Sequence, residues 1–173
     1  MRAQHSTIVS RVVARLLFAG AALAAVAASA QTLTARDAGA VVGLIETLKP
    51  ELGRLAYDED VADEWFEQDG DNRGLIAKAG FTKATWKAAL DATMKGFFAS
   101  LPESEIEARF GKLRKRANDD RKLNVDQKRA VLDLIEEQAA RLRTWREQGR
   151  SYLATVRPLA PRLQGLLAGW QDE

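Results

Sequence analysis

The chain has 173 residues, with 26 Lys and Arg against 24 Asp and Glu, one histidine (His5) and no cysteine. Set aside residues 1–30, and Gln31–Glu173 keeps 23 basic and 24 acidic groups, a net charge of −1, with neither thiol nor imidazole. That composition excludes disulfides, thiolate chemistry, His-assisted nucleophiles and the usual zinc, copper and haem ligands. It also removes the basic excess that would argue for nucleic acid, and no cofactor is expected.

Residues 1–30 combine Arg2, Arg11 and Arg15, an apolar run from Leu16 to Val26, and Ala28-Ser29-Ala30. A positive start, a short Ala-rich apolar stretch and small residues at −3 and −1 form a cleavable export signal. The run is too short for the roughly 20 apolar residues of a membrane span. The expected product is therefore a periplasmic protein beginning at Gln31, with 31–173 as one helical domain.

Helical periodicity recurs along the whole of that segment, and alternation at period two does not. Thr34 caps a first helix through Val41, Leu44, Ile45 and Leu48, ended or kinked at Pro50. Glu51–Phe66 is less regular and leads into an acidic run. Leu75–Ala79 is a short apolar turn stopped by Gly80. Thr82 caps the next helix, with Phe81 stapled to Trp86 and an apolar stripe of Trp86, Leu90, Met94, Phe97 and Leu101. Pro102 opens another, with acids in its first turn, bases in its last and a stripe of Ile106, Phe110, Leu113 and Ala117.

After a polar connection, Asn124 and Gln127 form a capping box for the longest helix. Its apolar face is expected to hold Val131, Leu134, Ile135, Gln138, Leu142 and Trp145, with Gly149 weakening its end. Pro158 and Pro161 precede a short helix carrying Leu163, Leu166, Leu167 and Trp170. The expected fold is all-α, a single bundle of about five or six helices. Trp86, Leu90, Phe97, Phe110, Leu134, Ile135 and Leu142 are expected in its core.

Two charged runs are the candidate sites. Asp58, Glu59, Asp60, Asp63, Glu64, Glu67, Asp69 and Asp71 crowd fourteen residues without a base. Asp69, Asp71, Gly74 and Ile76 match part of a calcium loop, but Arg73 and Gly80 stand where further ligands belong, so no metal is expected. Trp65 beside Glu64 and Glu67 suits a sugar site with a carboxylic general acid, which leaves a cell-wall hydrolase as an alternative. The second run holds Lys112, Arg114, Lys115 and Arg116, with Arg121 and Lys122 beyond, and Arg141, Arg143, Arg146 and Arg150 follow. Residues 31–80 carry a net −6 and residues 81–173 a net +5. Such separation suits capture of a partner protein, an unfolded client or a second copy, with no nucleic acid. Contact with a membrane surface stays open but is not expected.

Leu33-Thr34-Ala35-Arg36-Asp37 also aligns with Leu123-Asn124-Val125-Asp126-Gln127, ninety residues on. Leu44-Ile45-Glu46 then falls on Leu134-Ile135-Glu136, as in a repeat. Leu123 to Gln127 resembles the LTxxQ signature of the Spy/CpxP periplasmic chaperones, and Leu33-Thr34 resembles a degenerate second copy. Asn124 stands for the motif's Thr and Asp37 for its Gln, and residues 60–100 have no counterpart. The chain is also similar in style to helical envelope proteins of proteobacteria. The resemblance implies an exported, cofactor-free helical protein that is chaperone-like or an adaptor; a purely architectural envelope protein is the further alternative.

Overall fold

The computed structural model describes residues 32–58 and 60–167. The expected export signal, Glu59 and Trp170 lie outside the described residues. Eight α-helices follow in order: α1 (Ala35–Leu52), α2 (Val61–Asn72), α3 (Leu75–Lys78), α4 (Lys83–Ser100), α5 (Glu103–Asp119), α6 (Val125–Gly149), α7 (Leu153–Val156) and α8 (Ala160–Leu166). Six of them have seven or more residues, and 3₁₀ turns at Arg150–Tyr152 and Arg157–Leu159 connect the last three. No strand occurs among the described residues, where β pairing amounts to one isolated parallel bridge, Leu55 to Leu167. The protein is an all-α bundle.

Local chemistry starts each long helix where the side chains can satisfy its free N–H groups. Thr34 Oγ1 accepts from Asp37 N at 3.0 Å, and capping boxes form at Thr82/Thr85 and Asn124/Gln127. Phe81 packs edge-on against Trp86, their centroids 5.8 Å apart. Two boundaries differ from expectation. Pro50 lies within the last turn of α1, and the helix ends only at Gly53, whose N–H donates to Lys49 O. The acidic run is itself helical. Asp58 Oδ1 accepts the N–H groups of Asp60 and Val61 at 2.9 and 2.8 Å, and the carboxylates that follow suit the positive end of a helix.

Helix α4 is the axis of the bundle, packed between α1, α2, α6 and α7. Trp86, Leu90, Met94 and Phe97 are fully buried, and Ala89, Ala92 and Phe98 nearly so. A helix apolar on most sides can only be satisfied by such a central place. Trp86 Nε1 donates to Ala62 O at 2.9 Å and fastens α2 to it. At the other side Arg162 grips Glu46 with two bonds of 2.8 and 2.6 Å, tying α8 to α1.

The expected core fails in one region. Leu134 is 55% exposed, Leu113 39% and Val125 74%, while Val131 and Ile135 are half-buried and Gln138 is exposed. The reason is length. The 25 residues of α6 reach about 37 Å against about 27 Å for the 18 of α4, so the outer turns of α5 and α6 meet only each other. A two-helix hairpin buries one seam, not two broad faces. The aligned segments 33–52 and 123–142 thus share a pattern but not a setting: Leu44 is 9% exposed, and its counterpart is Leu134.

Candidate functional site

The acidic run does not converge on a site. Asp63 accepts from Lys87 at 2.6 Å, with Lys83 at 4.0 Å, and Glu67 accepts from Lys83 at 2.6 Å. The Lys87 hydrogen bond holds the Asp63 carboxyl below its ordinary pKa against some desolvation. The bonds to Glu67 and Asp63 raise Lys83 and Lys87 in turn. Asp58 is committed to capping α2, whereas Asp60, Glu64 and Asp71 are exposed.

Asp69, the calcium-loop match, is buried and serves the corner between α2 and α3. Its Oδ2 accepts from Ile76 N at 2.7 Å, and its carbonyl from Gly74 N at 2.6 Å. Gly74 closes that corner at φ 60°, a left-handed conformation that favours glycine. Asp69 Oδ1 is buried without a partner among the described residues. No group of three or more His, Cys, Asp or Glu side chains able to hold a metal occurs there. Trp65 is 5% exposed within the core, so no open platform beside Glu64 and Glu67 forms, and Glu67 is in an ion pair.

The basic run divides as well. Arg114 reaches across the hairpin, with Nε 2.6 Å and Nη2 3.2 Å from the two oxygens of Glu136. That fork raises Arg114 and lowers Glu136 from their ordinary pKa values. Lys115 pairs with Asp119 one turn on, and the contact raises its pKa. Lys112 and Arg116 are exposed, and Lys112 has no acidic partner among the described residues. The arginines of the second cluster are paired: Arg141 with Glu137, Arg143 with Glu107, Arg146 with Glu103 and, in the 3₁₀ turn after α6, Arg150 with Glu147.

A cleft of about 320 Å³ opens where the α1–α2 connection meets α4, α5 and α6. Tyr57, Phe98, Phe110 and Trp145 form its walls, Leu55 and Leu167 close one end, and Asp58, Arg109 and Gln138 supply polar edges. Phe98 stacks on Trp145 with centroids 5.6 Å apart and planes 15° from parallel. Tyr57 meets Trp145 edge-on at 4.9 Å, and its hydroxyl donates a hydrogen bond to Asp91. Beyond Tyr57 and Asp58 lies a second groove of about 520 Å³, floored by Ala62, Ala84 and Ala88.

A tight helix crossing builds this cleft. A Cβ placed on Gly149 would fall 1.9 Å from Lys95 O, and one on Gly96 would fall 2.7 Å from Val156 Cγ2. Only glycine lets α6 come this close to α4, and one turn earlier on α6 the same approach lays Trp145 on Phe98. The cleft does not end at the bundle. Arg109 and Gln138 stand at its edge on antiparallel helices, and one turn further out on each stand the exposed Leu113 and Leu134.

This combination was not expected from sequence. Trp145 reads as part of the apolar face of α6, Phe98 lies outside the stripe expected for α4, and Tyr57 lies in a less regular stretch. The available signal was Gln138, a polar residue inside the apolar line from Leu134 to Trp145. No family model, curated protein or solved structure matches the chain.

Proposed function

We propose that the protein is an exported, non-catalytic binding module of the cell envelope, chaperone-like or an adaptor, that holds an apolar segment of another protein. One observation carries this reading: the Tyr57–Phe98–Trp145 cleft opens, past a polar rim of Arg109 and Gln138, towards the exposed Leu113 and Leu134. An aromatic recess with exposed leucines one turn beyond its rim fits the anatomy of a protein-binding groove. Export rests on the pattern of residues 1–30. The LTxxQ-like segment at Leu123–Gln127 supports the chaperone form, since it opens the helix that carries Leu134.

Site-specific photocrosslinking in the cell tests the reading. A photoreactive side chain at Leu134 or Leu113 should yield discrete adducts with other envelope proteins. The same group at exposed Thr47, on α1, should not. Equal labelling at all three positions, or none at the leucines, would overturn it.

A further inference from the structure

We infer that the cleft is closed by the chain's own residues 168–173, with Trp170 seated in it, and that a partner segment must displace them. The displacement rests on the binding-module reading; the occupancy does not.

The direction in which the chain leaves α8 selects this occupant. Leu167 is extended, at φ −83° and ψ 139°, and pairs with Leu55 in a parallel bridge. Both leucines are buried, at 1% and 0% exposure, and they close one end of the cleft. In a parallel pair the two chains run the same way. The bridge therefore aims the chain beyond Leu167 along Ala56, Tyr57 and Asp58, all of which line the cleft and none of which is fully buried. At about 3.3 Å per extended residue, three residues carry Trp170 about 10 Å from the bridge.

The segment also fits the recess chemically. Residues 168–170 are Ala, Gly and Trp, two small residues and then one indole. A volume of about 320 Å³ sits at the small end of ligand pockets and takes one such side chain. Half-buried Tyr57 offers the indole a ring, and exposed Gln138 an amide oxygen for its N–H, which needs a partner on burial. The indole fills space beside Trp145 and Phe98 and need not part their stack. Asp172 and Glu173 follow, opposite in sign to Lys112, which is exposed on α5 one turn beyond the cleft edge.

Tethering favours this occupant over an untethered one. A group held by so short a linker has an effective concentration in the mM range. The same short reach keeps it from the cleft of a second copy unless Leu167 leaves Leu55, which would uncover two buried leucines.

The test places the photoreactive p-benzoylphenylalanine at position 170 of the full chain. Irradiation should cross-link it within the same chain to Ala56, Tyr57, Asp58 or the α6 stretch around Gln138, as mapped by mass spectrometry. Cross-links scattered over the surface, or mixed-isotope pairs from a blend of ¹⁴N and ¹⁵N protein, would overturn the inference. Binding of the dye ANS gives a second readout. Trp170→Ala should bind it at least fivefold tighter than the parent, and Trp170→Phe should stay within about twofold. The peptide Ala-Gly-Trp-Gln-Asp-Glu, added at about 1 mM to the Trp170→Ala protein, should return dye binding towards the parent level. Equal dye binding by the parent and Trp170→Ala would overturn the occupancy. Photo-adducts at Leu134 and Leu113 that increase in a Trp170→Ala background would support displacement, and adducts that stay equal would overturn it. A cleft cross-link from position 170 with no adducts in either background would remove the binding-module reading and leave the occupancy standing.

Discussion

Gly149→Ala is the sharpest perturbation of the bundle, because two physical effects give it opposite signs. Gly149 is the last residue of α6 and has ordinary right-handed backbone angles, φ −79° and ψ −8°, which alanine adopts freely. Helix propensity alone would make the substitution stabilising by about 1 kcal/mol. The new Cβ, however, would sit 1.9 Å from the carbonyl oxygen of Lys95 and 2.3 Å from its carbon, well inside the 3.4 Å where ordinary contact begins. Relief requires α6 to withdraw from α4 by more than 1 Å, since both obstacles are backbone atoms. Overpacking against movable side chains costs about 1–3 kcal/mol, so a backbone collision belongs at or above the upper end. The net loss should be about 2–3 kcal/mol. At roughly 4 °C per kcal/mol for a domain of this size, Tm should fall by about 8–12 °C. Withdrawal of α6 should also unstack Trp145 from Phe98 and reduce the near-UV circular dichroism of the aromatic cluster. Gly111→Ala is the control: it lies within α5 with nothing inside 4 Å of its would-be Cβ, and should gain about 0.5–1 kcal/mol. Thermal and urea unfolding of the pair decide the matter. A Gly149→Ala protein as stable as the parent, with its aromatic signal intact, would refute the close crossing and the account of how the cleft is built.

Leu134→Ala should cost less than about 1 kcal/mol, while Leu142→Ala, two turns inward on the same helix, should cost about 2–5 kcal/mol; urea unfolding separates them. Asp69→Ala should destabilise by about 1–3 kcal/mol by leaving the buried Ile76 N–H unpaired, and millimolar calcium should leave the parent Tm unchanged; a rise of several degrees would refute the corner assignment. Glu46, Asp63 and Glu136 have lowered pKa values, caused first by hydrogen bonds from Arg162, Lys87 and Arg114. Their contribution to stability is therefore complete above the ordinary values of 4.5, 3.8 and 4.5 and is lost as pH falls through the lower folded values. The triple variant Glu46→Gln/Asp63→Asn/Glu136→Gln should lose less stability than the parent between about pH 4.5 and pH 2. Protein recovered from the envelope should have the intact mass of a chain starting at Gln31; retention of Met1–Ala30 would refute cleavage.

The helix starts were legible because they are local. Thr34, Thr82 and Asn124 each satisfy N–H groups within three residues, and Phe81 reaches Trp86 without help from the rest of the fold. The all-α class followed from the same short-range chemistry, and the absence of His and Cys from 31–173 by itself bounded the available site chemistry. Tertiary structure alone decided which faces were covered. Leu44 and Leu134 stand in similar local sequences, yet one is buried in the bundle and the other is exposed on the α5–α6 hairpin, because burial depends on what lies opposite. The same holds for charge. Asp63 and Glu67 look free along the chain, but Lys83 and Lys87 meet them only after α2 has docked on α4. The cleft joins Tyr57, Phe98 and Trp145 from segments far apart in the sequence, and they meet because Gly149 lacks the atom that would hold α6 away from α4.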